Sequence, residues 1–299
     1  MQKFSCRIVC EAIRNIIRRE EMVKIVTDST AYLEEDFTRE NDIKVVPLKV
    51  SFGEKHFIEG VDITTTEFYE LLAKSETLPK TSQPSVQDFI DTYKPILEKD
   101  NHIISVHISG GLSGTINVAN LAKKTLNTEE ICIVDSLSTG IIIQFLIEKA
   151  LELIKHKEDF KHICSSVNAQ VKKMLSRFIL DDLDYMVKGG RLNKTEALIG
   201  SILHVKPIVS FTNGKSKVEG ITRIWKEAKT RLLAYAGKIN KDIGIEKIGV
   251  HCGANIEEGK DFKRMIEGIL EIPVVMRQVG SVLGTYGGPK WLGLGMQTK

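Results

Sequence analysis

Short apolar runs alternate with longer stretches whose apolar positions recur three and four residues apart, and the alternation begins abruptly near Met22. The runs VKIVTD (23–28), IKVVPLKV (43–50), HIISVHIS (102–109) and EICIVD (130–135) predict buried strands, whereas stretches near 65–74, 85–98 and 115–126 predict helices. Helix starts carry their own marker. Thr64 with Glu67, Ser85 with Asp88 and Asn193 with Glu196 each set a short side-chain acceptor three residues ahead of an acidic one, which satisfies the free N–H groups of a first turn. Strands alternating with helices in this way imply a mostly parallel sheet covered on both faces.

A long helical region over 137–174, broken near Lys157, reads as the connection to a second half. There the pattern predicts a strand at 177–182, a helix in EALIGSILHV, and a hairpin turning on Asn213-Gly214, the pair that best fits a two-residue turn. A helix at 223–239, a strand at 247–252, a helix at 257–270 and a strand at 273–280 follow. The expected fold class is α/β: two α/β domains, 22–172 and 173–299, with mostly parallel sheets and the ligand site between them. Residues 1–21 are expected to be an N-terminal extension or appendage. Phe4, Ile8, Ala12 and Ile16 form a helical stripe with basic flanks, suited to transient contact with a membrane surface or a partner helix.

Composition narrows the partners. With 299 residues, 42% hydrophobic and 27% charged, the chain has the make-up of a globular protein. Residues 1–21 hold five basic and three acidic residues, so two of the three net positive charges sit there and the body is close to neutral. Nucleic acid is therefore not an expected partner, since that needs a concentrated basic face. Cys6, Cys10, Cys132, Cys164 and Cys252 are odd in number and scattered, which suits reduced thiols in a cytoplasmic protein, with Cys132 and Cys252 as small core residues. No segment approaches the roughly 20 apolar residues of a membrane span, so an integral membrane protein is not expected.

The chemistry-bearing loops are rich in hydroxyls. Asp28-Ser29-Thr30, Thr81-Ser82-Gln83-Pro84-Ser85, Ser109 to Thr115 and Asp135-Ser136 all follow strands or enter helices. SGGLSGT (109–115) places glycines and Ser113 ahead of a helix start, an arrangement suited to an oxyanion. It lacks the Lys of a nucleotide phosphate loop and the spacing of a dinucleotide fingerprint. It also departs from G-x-S-x-G, because Thr115 stands where the second Gly belongs. Hydroxyls and N–H groups bind an anion without supplying a base, so a binding site fits better than an active site. No metal-ligand spacing is present, and no cofactor is expected. His107 alternates with apolar strand positions and His251 ends a strand, and both read as structural. Asp181, Asp182 and Asp184 read as a solvated strand end or cap.

Taken together, VTDST (26–30), TSQPS (81–85), SGGLSGT (109–115), VDSLSTG (134–140), LDYMVKGGRL (183–192), VKPIVSFTNGKSKVEG (205–220) and GTYGGPKWLGLG (284–295) resemble the DegV family, which includes the fatty-acid-binding subunits of bacterial fatty acid kinase. The resemblance spans the chain from about Val23 onward. It implies a two-domain lipid-binding carrier that buries a long-chain fatty acid, its carboxylate held by hydroxyls between the domains. It further implies that a fatty acid kinase catalytic subunit converts the bound carboxylate to an acyl phosphate for phospholipid metabolism, the present chain performing no catalysis. Carried over by position, Thr81, Ser82, Ser113, Gly114 and Tyr286 are the ligand-binding residues, and Arg191 serves partner docking or the head region.

The final loop departs from that family's pattern, with Tyr286 where His is usual and Lys290-Trp291 where Gly-Ala is usual. A phenol donates a hydrogen bond but brings no positive charge, a role that would then pass to Lys290. The competing reading is a serine hydrolase or acyltransferase using Ser113 with His107 or His251, which requires an oriented base at hydrogen-bond distance from the hydroxyl.

Overall fold

A computed structural model describes residues 22–192 and 205–299. The helical stripe of residues 1–21, the Asn193–Glu196 cap and the helix expected over 196–204 lie outside the described residues.

The first sheet contains β1 (Val23–Asp28), β2 (Lys44–Val46), β6 (His102–His107) and β7 (Ile131–Asp135) in the order β2-β1-β6-β7, with every neighbouring pair parallel. A small antiparallel sheet joins β3 (Lys49–Phe52) to β4 (Lys55–Ile58) and β5 (Lys80–Ser82). The single strand expected over 43–50 is thus two strands in different sheets. Pro47, which has no N–H to donate, lies between them. Both expected capping boxes within the described residues close as read: Thr64 Oγ1 accepts from the N–H of Glu67 and Ser85 Oγ from that of Asp88.

The second sheet runs β10-β9-β8-β13-β11-β12, from β8 (Met174–Leu180), β9 (Lys206–Thr212), β10 (Lys215–Thr222), β11 (Ile245–Cys252), β12 (Val274–Gln278) and β13 (Trp291–Thr298). The mostly parallel pattern expected for this half gives way to an antiparallel one, since only β11 and β12 pair in parallel. Two of the antiparallel pairs come from β13, a strand the pattern did not predict, which inserts between β8 and β11. Asn213 and Gly214 turn the β9–β10 hairpin with φ of 49° and 76°, as their sequence requires.

The helix Ile141–Lys155 lies between the two large sheets, touching β1 and β6 on one side and β8, β11 and β13 on the other. Its apolar residues therefore occupy most of its circumference, as a doubly covered helix demands. Gly249 and Gly295 let it approach the second sheet, because a Cβ at either would collide with Ile141 or press on Ile142. The expectation of reduced cysteines is corrected for one pair. Cys132 on β7 and Cys164 on the overlying helix Phe160–Gln170 form a disulfide, brought together by packing across 32 positions of sequence. Cys252 is free and buried. Among the described residues no helix is long and apolar enough to cross a membrane.

Candidate functional site

Contacts between the two halves converge around one apolar cleft. The Ser109 hydroxyl donates to Gly214 O at 2.7 Å, docking the β9–β10 turn on the SGGLSGT loop. Thr81 Oγ1 meets Tyr286 OH at 2.5 Å, tying β5 to the helix Ser281–Gly287. The Ile141 N–H donates to His251 Nε2 at 2.8 Å. Between these ties lies a cleft with a cavity volume of about 80 Å³. Its walls are mainly apolar, with Ile108, Leu112, Phe178, Phe211, Leu283 and Trp291 prominent. A second depression, beside Tyr32 and Glu59, is more open and has a larger polar share in its walls, with Arg39, Asp42 and Lys44 among them.

Thr81, Ser113, Arg191 and Tyr286 all line the cleft. Strand alternation puts Thr81 inward and Ser82 outward, so Ser82 is exposed and not part of the lining. Gly114 is the N-cap of the helix Thr115–Thr125 and also stands outside the lining; a side chain there would collide with Gln83. Ser113 Oγ bonds Thr115 Oγ1 at 2.8 Å and accepts the Thr115 N–H at 3.3 Å, so the loop closes on itself at the helix start. The guanidinium of Arg191 lies 4.3 Å from the Tyr286 ring centroid, while its Nε and Nη1 donate to Leu112 O and Gly189 O. A planar cation stacked on a phenol ring is thereby fixed among the polar groups of the cleft. Lys290 is elsewhere, over Trp225 at 4.8 Å and 3.9 Å from Asp181, and cannot supply the missing charge.

Among the described residues no base lies at hydrogen-bond distance from Ser113 Oγ, whose partners are Thr115 Oγ1 and the Thr115 N–H. His107 is fully buried, with Nδ1 3.0 Å from Asp28 Oδ2 and Nε2 2.6 Å from Ser105 Oγ. Asp28 also accepts from Thr30 N, Thr30 Oγ1 and Ile108 N, so the VTDST motif organises the strand ends rather than a ligand. The Asp28–His107–Ser105 chain has the connectivity of a catalytic triad, but every member is sealed from solvent. His251 is occupied by Ile141, and burial pushes its pKa down to about 3, with Arg277 adding to the shift. Among the described residues no group of His, Cys, Asp or Glu is arranged to hold a metal.

Sequence reading missed other members of this region. Ser138, Thr139 and Ser176 line the cleft, and Glu59 is buried beside it. Its carboxylate accepts from Ser29 Oγ at 2.6 Å, Tyr32 OH at 3.2 Å, Ser281 Oγ at 3.1 Å and the Val282 N–H at 2.7 Å. Burial raises the Glu59 pKa, against the lowering effect of these donors. A lone Glu after a short strand offers no spacing signal that would have marked it.

Among the described residues, an α/β scaffold with a mainly apolar cleft, a few hydroxyls and a guanidinium converging on it has the character of a small-molecule-binding site. The chain belongs to the DegV family: the family's model, described as "Uncharacterised protein, DegV family", matches residues 22–299. A DegV domain-containing protein of Listeria innocua is 31% identical over 276 residues, covering 92% of this chain and 98% of the relative. Among solved structures, a stearic-acid-binding protein from Eubacterium ventriosum aligns at TM-score 0.85 and 29% identity, over 93% of this chain and 99% of that one. DegV from Bacillus subtilis, described as a fatty acid binding protein, aligns at TM-score 0.84 and 29% identity, over 93% and 100% of the two chains.

Proposed function

We propose that the cleft binds a long-chain fatty acid, with the carboxylate among Thr81, Ser113, Tyr286 and Arg191 and the tail along the face of the second sheet. The observation that carries this reading is the pairing of mainly apolar walls with converging hydroxyls and one fixed guanidinium. Roughly ten buried methylenes would contribute about 8 kcal/mol before ordering costs. Solved relatives that bind stearic and other fatty acids support it. On this reading the division into residues 22–172 and 173–299 sets the cleft between two domains.

We further propose that the chain presents the bound carboxylate to a fatty acid kinase in the cytoplasm, the kinase moving a phosphoryl group from ATP to the carboxylate oxygen. The chain itself then neither binds ATP tightly nor turns it over, in keeping with a glycine loop that has no phosphate-binding Lys. The test is extraction of lipid from the purified protein, followed by incubation with ATP with and without an added fatty acid kinase. Bound fatty acid, and acyl phosphate formed only with the kinase, are expected. Failure to take up palmitate or oleate overturns the binding reading, and acyl phosphate made by the chain alone overturns the carrier reading.

A further inference from the structure

The cleft is not apolar along its whole length. Along β8 the lining passes from Leu180 through Phe178 to Ser176, and across the sheet these pair with Trp291, Gly293 and Gly295 of β13. Leu180 and Trp291 pack in one cluster with Met186 and Tyr286, at the end of the cleft where Arg191 stacks. Ser176 is four residues further along the strand, about 13 Å at the usual rise. From the Phe178 level inward the wall turns polar, with His251, Thr139, Ser138 and Ser176.

Two of these groups have hydrogen-bonding capacity that the protein does not use. Ser138 donates to Ser176 at 3.3 Å, which accounts for that pair. Thr139 is 6% exposed, and its Oγ1 has no hydrogen-bond partner. His251 is 7% exposed, and its Nε2 accepts the Ile141 N–H, so the ring proton resides on Nδ1. Among the described residues that Nδ1–H meets no acceptor. The ring sits directly against Gly140, whose φ of 62° and missing side chain make room for it, and Thr139 is the preceding residue. A neutral donor and a neutral hydroxyl thus flank the path of the tail. A saturated chain along this wall would exclude water from the imidazole donor and leave the already buried Thr139 hydroxyl without a partner.

We infer that the inner end of the cleft selects acyl chains bearing an oxygen near mid-chain, a hydroxyl or keto group that accepts from His251 Nδ1 and pairs with Thr139 Oγ1. The inference rests on the fatty-acid reading above and specifies its substrate class. Because the pKa of His251 is held near 3, the donor stays neutral and the preference is independent of pH between 5.5 and 8.

Delipidated protein titrated by competition against a fluorescent fatty acid tests this with three ligands: stearate, a stearate hydroxylated at mid-chain and one hydroxylated next to the carboxylate. The mid-chain alcohol is expected to bind about tenfold more tightly than stearate, the size of one to two neutral hydrogen bonds, and the other alcohol is expected to show no such gain. Thr139→Val should bring the ratio of mid-chain alcohol to stearate affinity toward one. A measurement free of mutation is the His251 Nδ1–H proton resonance, expected to move with the mid-chain alcohol and not with stearate. A ratio at or below one across a series of mid-chain positions, with stearate bound, overturns the inference alone; no competition by any of the acids overturns the fatty-acid reading with it.

Discussion

Thr81 Oγ1 and Tyr286 OH, 205 positions apart in sequence, share one hydrogen bond of 2.5 Å inside the cleft. In such a pair one hydroxyl donates to the other, and the second keeps its own proton for a ligand. A carboxylate arriving there completes a chain of two O–H donors. Thr81→Val and Tyr286→Phe should each weaken fatty-acid binding by about 1.5–3 kcal/mol, with the double variant losing less than the sum. Additive losses in a double-mutant cycle would show that the two hydroxyls act separately.

Ser113 holds a different position, with its oxygen already committed to Thr115 Oγ1 and the Thr115 N–H. Ser113→Ala should therefore weaken fatty-acid binding while leaving an alcohol of the same tail length less affected, since the lost interaction is with charge. Equal losses for acid and alcohol would assign Ser113 to loop geometry instead of the carboxylate. Calorimetric titration of both ligands separates the outcomes.

Replacing Tyr286 by His places an imidazole beside the Arg191 guanidinium, which lies 4.3 Å from the present ring. That neighbouring cation opposes a second positive charge, so the new imidazole should titrate below its ordinary value near 6.5. Fatty-acid affinity of Tyr286→His is expected to rise as pH falls below about 6.5, relative to wild type at the same pH. Affinities measured from pH 5 to 8 that track wild type throughout would remove residue 286 from the charge environment of the ligand.

Local rules carried much of the fold. The helix Thr65–Lys74 and the hairpin at Asn213-Gly214 form where their own capping and turn residues demand. β13 was illegible for the opposite reason. WLGLGMQT has glycines at alternate positions and reads as loop, yet all of it is buried, and Gly295 lies against Ile141 and Ile142 of the helix Ile141–Lys155. The cysteines illustrate the same limit: only packing of the helix Phe160–Gln170 over β7 brings Cys164 to Cys132. For the site, Thr81 and Ser113 were marked by hydroxyl-rich loops. Ser82 belongs to the same motif, but a motif does not reveal which side of a strand faces inward, and Thr139 and His251 gain meaning only from the walls around them.

Glu59 offers a test of the seam between the halves. Its pKa is raised above 4.5 by burial, so the folded protein holds this proton more tightly than the unfolded chain. Its contribution to stability is complete below pH 4.5 and is lost as pH rises through the elevated folded value. Glu59→Gln cannot ionise, and should lose a constant amount through poorer acceptance from Ser29 and Ser281. The gap in urea midpoint between wild type and variant is therefore expected to shrink as pH rises above 4.5. A gap that widens with pH would mean that the four donors, not burial, control the carboxylate.

His251 has the opposite sign. Burial holds its pKa near 3, against an ordinary value of 6.5, so the unfolded chain binds this proton where the folded protein does not. Stability from this group is complete above pH 6.5 and is lost progressively as pH falls toward 3, by several kcal/mol at the limit. His251→Gln keeps a side-chain acceptor available for the Ile141 N–H and carries no titration, so its stability should fall less than that of wild type between pH 6.5 and 4. The folded wild type should meanwhile show a neutral His251 ring at pH 5 by nitrogen-15 chemical shift, protonated on Nδ1. A charged ring at pH 5 in the folded protein would break the link between Nε2 and the start of the helix Ile141–Lys155, and with it the argument that this imidazole faces the cleft as a neutral donor.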